Sequence, residues 1–290
     1  GQIDSDGRIP NRIPAADLGC ADGVGWVFLR LQQLHASGGL TAAEQKRVAQ
    51  ALTTALQRLA EHRMQDGLVT NAPLETWMDT VCAEDVRAGA RVEIQALTLA
   101  MYRFAAELTG AAEWMEHEQQ LRDRVRAAFW TGEILCDGKG DPTQRPNLFL
   151  AAYAYPELLE AQEWEQAFDH TLARLWLPWG GLATIEKDHP LFQQRYTGQD
   201  NRSYHRGDSW FFVNDFAAIV LHRCNPKKYR KYVEAISAAS EKDILDNGAL
   251  CAASEVSSAK SQDSHGCWCQ AWSNALFLEL RHELCNETTG

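Results

Sequence analysis

The stretch Val92-Glu-Ile-Gln-Ala-Leu-Thr-Leu-Ala-Met-Tyr-Arg-Phe-Ala-Ala-Glu-Leu108 decides the fold class, because it is apolar on nearly every side at helical spacing. A helix that is apolar all round has to be buried all round. Four further stretches have the same character, and they cover residues 24–34, 148–155, 210–221 and 267–280. The sequence therefore predicts five buried helices.

Four amphipathic stretches alternate with the buried ones. Each has apolar residues at helical spacing and a charged opposite face, and they run over residues 48–59, 115–129, 164–175 and 229–236. Short links such as 108–111 and 223–226 predict that neighbouring helices form antiparallel hairpins, and almost nothing in the sequence predicts a strand. The alternation indicates an inner and an outer ring of helices, an all-α fold of the α/α-barrel type. A solenoid of helix pairs also alternates, but it needs a repeat of fixed period, and the sequence shows none.

Composition excludes several classes of function. The chain has 290 residues and a formal net charge of −11, which disfavours nucleic acid and anionic membrane surfaces as partners. No apolar run approaches the roughly 20 residues that span a bilayer. Eight cysteines are present, but Cys267 and Cys269 do not have the spacing of zinc or redox motifs, so we expect free thiols, no metal, no cofactor and a reducing, cytoplasmic location.

The long links that precede the buried helices carry the polar and aromatic residues. In a barrel whose inner helices all run the same way, these links meet at one mouth. They hold the aromatic residues Trp77, Trp179, Tyr196, Tyr204, His205 and Trp210 and the carboxylates Asp79, Asp208, Glu255 and Asp263. Aromatic faces stack on sugar rings and a pair of carboxyl groups performs acid–base chemistry on a glycosidic bond, which favours a glycosidase or a glycan-binding cleft. Ordinary core packing is the alternative role for any single Trp.

Four acidic residues stand out among the 39. Asp79 follows Trp77-Met78 in a loop, with an N-cap or a turn as its ordinary alternative. Glu255 lies in a weakly charged, Ser-rich stretch, where a plain loop charge is the alternative. Glu93 lies one turn into a buried helix and needs a partner, either Arg87, Arg91 or a bound hydroxyl. Asp22 precedes Trp26 and is placed to cap its helix.

Several segments together resemble the glucosidase domain of glycogen debranching enzymes, the amylo-α-1,6-glucosidase type. They are Asp6-Gly-Arg-Ile-Pro-Asn-Arg12, Asp22 with Trp26, Thr76-Trp-Met-Asp79, Val92-Glu-Ile-Gln-Ala-Leu97, Arg145-Pro-Asn147, His189-Pro through Tyr196-Thr-Gly198, Tyr204-His-Arg-Gly-Asp-Ser-Trp210, Ser254-Glu255 and Gly266-Cys-Trp-Cys-Gln-Ala-Trp-Ser273. They occur in the family's order along the whole chain, and it is this ordered set that makes the resemblance specific.

The resemblance implies an (α/α)6 barrel that hydrolyses the α-1,6-linked glucose of a branched glucan, such as a limit dextrin, with inversion. Carried over to this chain, Asp79 is the general acid and Glu255 the general base. Inversion needs the two carboxyl groups roughly 6.5–9.5 Å apart, and burial against Trp77 is expected to raise the pKa of Asp79. The substrate-binding residues implied are Asp22, Trp26, Trp77, Glu93, Asn147, Tyr204, His205, Trp210, Gln270 and Trp272.

The chain departs from the family pattern in two ways. The family's first loop carries a Trp-Gly-Arg-Asp motif that this sequence lacks, and Asp208-Ser209 replaces the usual Thr-Val. Nine helices against the twelve of the barrel indicate a single domain over residues 1–290 that lacks the first three helices, with apolar flanks exposed on its first and last inner helices. A preceding domain of a longer chain is then a possible partner besides the glucan or oligosaccharide substrate. Two alternatives stay open: an α-glycosidase of the same barrel class that acts on a small glycoside, and a catalytically inactive glycan-binding domain.

Overall fold

The computed structural model describes residues 3–12 and 19–286, and within them the protein is mainly helical. Nine α-helices occur in these residues: α1 (Gly23–Ala36), α2 (Ala42–His62), α3 (Val92–Thr109), α4 (Ala112–Phe129), α5 (Asn147–Ala154), α6 (Ala161–Leu175), α7 (Phe211–Cys224), α8 (Pro226–Lys242) and α9 (Ala271–Asn286). Each stretch predicted to be helical coincides with a helix over most of its length, so the mainly helical, all-α class is confirmed.

Two predicted helix starts were wrong by one and four residues. Trp210 belongs to a short strand, and α7 begins at Phe211. The last helix begins at Ala271 and not at Cys267, because the main chain of Cys267 and Gln270 bonds to the segment around Glu255.

Three small antiparallel sheets, with strands of two residues each, lie between the helices of the described chain. They are β1 (Met64–Gln65) with β2 (Leu68–Val69), β3 (Trp176–Leu177) with β4 (Gly181–Leu182), and a three-stranded sheet of β5 (Ser209–Trp210), β6 (Val256–Ser257) and β7 (Ser264–His265) in the order β5-β6-β7. Strands this short leave no alternating pattern, which explains why the sequence did not predict them.

The chain divides into two compact units. The first comprises residues 1–131, 136–141 and 154–158, and the second comprises residues 132–135, 142–153 and 159–290, in each case as far as the residues are described. In the first unit, α3 packs against α1, α2 and α4 and is buried over most of its length, as predicted. In the second unit, α7 is likewise buried over most of its length and packs against α6, α8 and α9.

Helix-end signals agree with the predicted hairpins. Gly110 adopts the left-handed conformation at the end of α3, and α4 begins two residues later. Asn225 caps α8 with its side chain, which accepts from the amide of Lys228, and Pro226 is the first helical residue. The return links are therefore as short as the sequence predicted.

Helices α1 and α9 are buried on only part of their circumference. Val27 and Leu34 of α1 are both 44% exposed, and Trp272 and Leu278 of α9 are 52% and 68% exposed. These side chains are the apolar flanks expected from the helix count. Among the described helices, none combines the length and the apolar character needed to cross a bilayer.

Candidate active site

The loop that carries Asp79 lies in the first unit. Hydrogen bonds hold three consecutive residues of this loop, 75–77. The Glu75 carboxylate accepts from Arg8 Nη2 at 3.0 Å and from the amide of Ala72 at 2.6 Å. Thr76 Oγ1 accepts from Arg87 Nη1 at 2.9 Å. The amide of Trp77 donates to Asp22 Oδ2 at 3.0 Å. Asp79 therefore follows a segment that has little freedom to move.

Arg87 is the centre of a buried ionic cluster beneath this loop. Its Nε and Nη2 donate to the two carboxylate oxygens of Asp137 at 2.9 and 3.0 Å, and its Nη2 also donates to Glu93 Oε1 at 2.9 Å. The side chains of Arg87, Asp137 and Glu93 are 3%, 1% and 1% exposed. Two carboxylates around a fully buried guanidinium raise the pKa of Arg87 against the opposing effect of burial, so it stays charged.

Asp22 does not cap α1 with its side chain. Its carboxylate instead accepts from the amide of Trp77 and from Cys20 Sγ, the latter at 3.2 Å. Burial raises the pKa of Asp22. Trp26 lies on the first turn of α1, half-buried, and its amide donates to the Asp22 carbonyl at 3.1 Å. The structure thus brings Asp22 and Trp77 together, and Trp26 follows Asp22 on the first turn of α1.

Trp77 is buried, at 7% exposure, whereas Asp79 is exposed. The structure therefore does not show the burial of Asp79 against Trp77 that was expected to raise its pKa. The ordinary alternative of an N-cap does not apply to Asp79 either, because the next helix along the chain, α3, begins only at Val92.

Glu255 lies in the second unit, immediately before β6. The amide of Cys267 donates to Glu255 Oε2 at 2.9 Å, and the amide of Glu255 donates to the Cys267 carbonyl at 2.8 Å. Gln270 Nε2 lies 3.4 Å from Glu255 Oε1. One carboxylate oxygen is thus clamped by the main chain, while the other is turned towards an amide.

The clamp on Glu255 requires glycine at position 266. Gly266 has φ +73°, and a Cβ built on it would lie 2.3 Å from Glu255 Oε2. Only a residue without a side chain allows the chain to turn this closely around the carboxylate.

An aromatic row adjoins the sheet whose strand β6 follows Glu255 directly. Trp210 pairs with Val256 in the sheet, stacks on His205 with ring centres 5.3 Å apart, and meets the edge of Tyr204 at 4.7 Å. The row continues through Phe212, 5.7 Å from Trp210, to Trp272 at 5.3 Å. His205 and Trp210 are buried and Trp272 is half exposed, so the row leads from the interior to the surface.

Asn147 is the first residue of α5 and is fully buried. Two residues earlier, Arg145 Nη1 donates to the His205 carbonyl at 3.0 Å and lies 3.3 Å from the Thr184 carbonyl. The segment of Asn147 is thereby tied to the segment of His205 within the second unit.

Sequence reasoning left three residues near Glu255 out of the predicted substrate-binding set. Tyr196 stacks on His265 of β7 with ring centres 4.1 Å apart. Burial and the carboxylates of Asp208 and Glu255 raise the pKa of Tyr196. Asp208 accepts from Ser203 Oγ at 2.6 Å, and burial raises its pKa to about 7. The departure from the family pattern at Asp208 was the signal that pointed to this residue.

The predicted site residues therefore fall into two groups. Asp22, Trp26, Trp77, Asp79 and Glu93 belong to the first unit, and Asn147, Tyr204, His205, Trp210, Glu255, Gln270 and Trp272 belong to the second. Within the described residues, no three His, Cys, Asp or Glu side chains come together as ligands of a metal ion.

A mainly helical chain with carboxylates on fixed loops and a row of aromatic side chains has the features of a glycoside hydrolase. A comparison with protein families identifies the family. The chain belongs to the amylo-alpha-1,6-glucosidase family, whose model matches residues 2–279.

Solved structures show the same fold. An uncharacterized conserved protein from Thermus thermophilus is 14% identical, with a TM-score of 0.69 over 95% of this chain and 84% of that chain. The GH63 mannosylglycerate hydrolase of the same organism, in complex with glucose, is also 14% identical, with a TM-score of 0.64 over 95% of this chain and 84% of that chain. Its complex with Tris and D-glycerate has a TM-score of 0.62 over 96% and 84%, again at 14% identity. At this identity the likeness is one of fold. No curated protein matches the chain in sequence.

Proposed function

We propose that this protein hydrolyses α-1,6-linked glucose from a branched glucan such as a limit dextrin, with inversion at the anomeric carbon. The observation that carries the proposal is the fixed carboxylate of Glu255 beside the row of Tyr204, Trp210 and Trp272. Membership of the amylo-alpha-1,6-glucosidase family supports the same reaction.

In the proposed mechanism, Asp79 is the general acid and Glu255 the general base. Asp79 donates its proton to the glycosidic oxygen while the bond to the anomeric carbon breaks. Glu255 accepts a proton from the water that attacks that carbon from the opposite face. The products are β-glucose and the shortened glucan, and the reaction requires the carboxyl groups to be about 6.5–9.5 Å apart.

The aromatic row and its polar neighbours are the proposed sugar site. Trp272 offers an exposed ring on which a sugar face can stack, and Gln270 offers an amide next to Glu255. Tyr204 is half-buried, and the buried His205, Trp210 and Asn147 fix the inner part of the site.

We also propose the (α/α)6 barrel, as a single domain over residues 1–290, for the architecture. The alternation of buried and amphipathic helices and the exposed apolar residues of α1 and α9 support it. The eight cysteines all lie in described residues and none of them forms a disulfide there, which supports the proposed reducing, cytoplasmic location.

A second candidate function is hydrolysis of a small α-glycoside. The similarity of fold to the mannosylglycerate hydrolase, whose substrate is small, favours it. Comparing kcat/KM on limit dextrin with kcat/KM on mannosylglycerate and on a glucosyl disaccharide decides between the two candidates.

The deciding experiment is Glu255→Gln, which keeps the size of the side chain and removes its basicity. Proton NMR follows the release of glucose from limit dextrin and resolves which anomer appears first. We expect the wild type to release β-glucose and the variant to lose about 100- to 10,000-fold in kcat. Glu116→Gln, on the exposed face of α4, is the matched control and should keep wild-type turnover. Undiminished turnover of Glu255→Gln, or initial release of α-glucose, would contradict the proposal. A wild type that binds the dextrin without cleaving it would indicate a glycan-binding domain instead.

A further inference from the structure

The guanidinium of Arg87 bonds to two different parts of the first unit. Towards the interior it bonds to Asp137 and Glu93. Towards the loop of Asp79 its Nη1 donates to the hydroxyl of Thr76 at 2.9 Å. The group is planar and rigid, so fixing one side of it fixes the other.

Thr76 lies in a bend at residues 76–77, three residues before Asp79. Besides the bond from Arg87, its Oγ1 accepts from the amide of Met78 at 3.3 Å. The hydroxyl therefore connects the buried ionic cluster with the main chain one residue before Asp79.

The buried cluster holds Arg87 in a conformation that the residue would not adopt alone. Arg87 has φ +42°, in the left-handed region that is costly for a residue with a side chain. Its carbonyl accepts from Asn71 Nδ2 at 2.8 Å, which holds the main chain there. Both oxygens of Glu93 lie within 3.1 Å of Arg87 Nη2. A carboxylate engaged in this way supports the guanidinium and is not presented to a sugar.

We propose that Arg87 is a positioning residue for Asp79, acting through the hydroxyl of Thr76, and that Glu93 and Asp137 hold Arg87 for this role. The inference rests on the proposed function, because it assumes that Asp79 is the general acid. It assigns Glu93 a role different from the sugar contact that the family resemblance implies.

A misplaced general acid has a characteristic kinetic signature. A sugar leaving group needs a proton as the glycosidic bond breaks, whereas fluoride departs without one. Loss of positioning at Asp79 therefore slows hydrolysis of an α-1,6-linked glucoside and leaves hydrolysis of α-glucosyl fluoride largely intact. A general loss of structure slows both.

The test uses Thr76→Val, which has the shape of threonine without the hydroxyl, and Thr76→Ser, which restores the hydroxyl. On an α-1,6-linked trisaccharide we expect Thr76→Val to lower kcat about 10- to 100-fold with KM within about twofold of the wild type. On α-glucosyl fluoride the same variant should retain most of its kcat. Thr76→Ser should recover most of the trisaccharide activity.

Two outcomes overturn the inference: an equal loss on both substrates, or no loss on either. Asp79→Asn, measured on the same two substrates, separates this failure from failure of the proposed function. If Asp79→Asn still hydrolyses the trisaccharide at the wild-type rate, Asp79 is not the acid and both proposals fall. If Asp79→Asn loses the trisaccharide activity alone while Thr76→Val is unaffected, only the role of Arg87 falls.

Discussion

Cys267 binds Glu255 at two points, since its amide donates to Glu255 Oε2 at 2.9 Å and its carbonyl accepts from the Glu255 amide at 2.8 Å. The first bond stops the carboxylate from rotating, and the second holds the main chain behind it. The neighbouring amide of Ser254 donates to Asp243 Oδ2 at 2.7 Å, which anchors the other side of Glu255. If Glu255 is the general base that we propose, a carboxylate held on both sides needs no reorganisation when water approaches.

The first prediction concerns Gly266→Ala. The new Cβ would lie 2.3 Å from Glu255 Oε2, so the carboxylate has to move. We expect kcat to fall about 100-fold, as for a displacement of roughly 1 Å at a reacting group. Steady-state kinetics on the α-1,6-linked trisaccharide measures the effect.

Gly38→Ala is the matched control for Gly266→Ala. Gly38 has φ +74°, close to the +73° of Gly266, but nothing lies within 4 Å of the position that its new Cβ would take. Both variants should lose about 1–2 kcal/mol of stability from backbone strain, and only Gly266→Ala should lose activity. Equal activity of the two variants would mean that the clamp on Glu255 does not matter for turnover.

The second prediction concerns Arg87→Met. The substitution removes the cation that Glu93 and Asp137, each at 1% exposure, share, and it leaves Asp137 only the longer pair with Arg91 Nη1 at 3.2 Å. Breaking a buried pair in this way costs about 3–5 kcal/mol, and urea denaturation should show a loss of this size. Arg230→Met removes an exposed pair with Glu234 on α8 and should leave the urea midpoint nearly unchanged. Similar midpoints for the two variants would show that the cluster does not stabilise the fold.

The third prediction concerns pH and Asp215, which is fully buried on α7 and accepts from Ser240 Oγ at 2.8 Å. Burial raises the pKa of Asp215 to about 8, whereas the unfolded chain releases this proton near pH 4. Between these values the unfolded state binds fewer protons, so the residue lowers stability as pH rises, by up to about 1.4 kcal/mol per pH unit.

Asp215→Asn removes this titration. The variant should therefore gain stability relative to the wild type as the pH is raised from 5 to 8, as measured by urea denaturation at several pH values. Other buried groups, including Asp208, titrate in both proteins and cancel in the difference. A stability difference that stays constant over this range would rule out a proton held by Asp215.

The fourth prediction concerns Cys267. This residue is exposed, and its main-chain amide donates to the Glu255 carboxylate. Alkylation with iodoacetamide adds bulk next to the clamp, and we expect it to reduce kcat by about tenfold or more. Cys267→Ser should keep its activity under the same treatment. Cys285→Ser, which removes another exposed thiol, should remain as sensitive as the wild type. If the two variants respond alike, the thiol next to Glu255 is not the sensitive one.

The helices could be predicted because the spacing of apolar residues along the chain follows the buried face of each helix. Helix α3 is buried on nearly every side and α4 on one side, and each shows the corresponding pattern. The sequence left Arg87, Arg91 or a bound hydroxyl as the partner of Glu93. The structure pairs Glu93 with Arg87, while Arg91 pairs with Asp141 at 2.6 Å and with Asp137 at 3.2 Å. These predictions were possible because the residues concerned lie close together in the sequence.

Asp137 could not be predicted, because it lies 50 residues from Arg87 in a segment without periodicity. The same holds for the bonds from Cys267 to Glu255, which join a carboxylate to a main-chain group and so depend on no particular side chain at position 267. Such contacts depend on how distant loops meet, and a single sequence carries no signal for that.

The distance along the chain between Arg87 and Asp137 also sets an order of events during synthesis. Glu93 follows Arg87 by six residues, but Asp137 leaves the ribosome 50 residues later, after α3 and α4 have been made. Until then the guanidinium has one carboxylate partner, and burying it is correspondingly unfavourable. If Arg87 positions Asp79 as we propose, the loop of Asp79 is completed only when residues 136–141 join the first unit. We then expect a ribosome that pauses before Asp137 to hold a nascent chain in which the candidate acid is not yet in place.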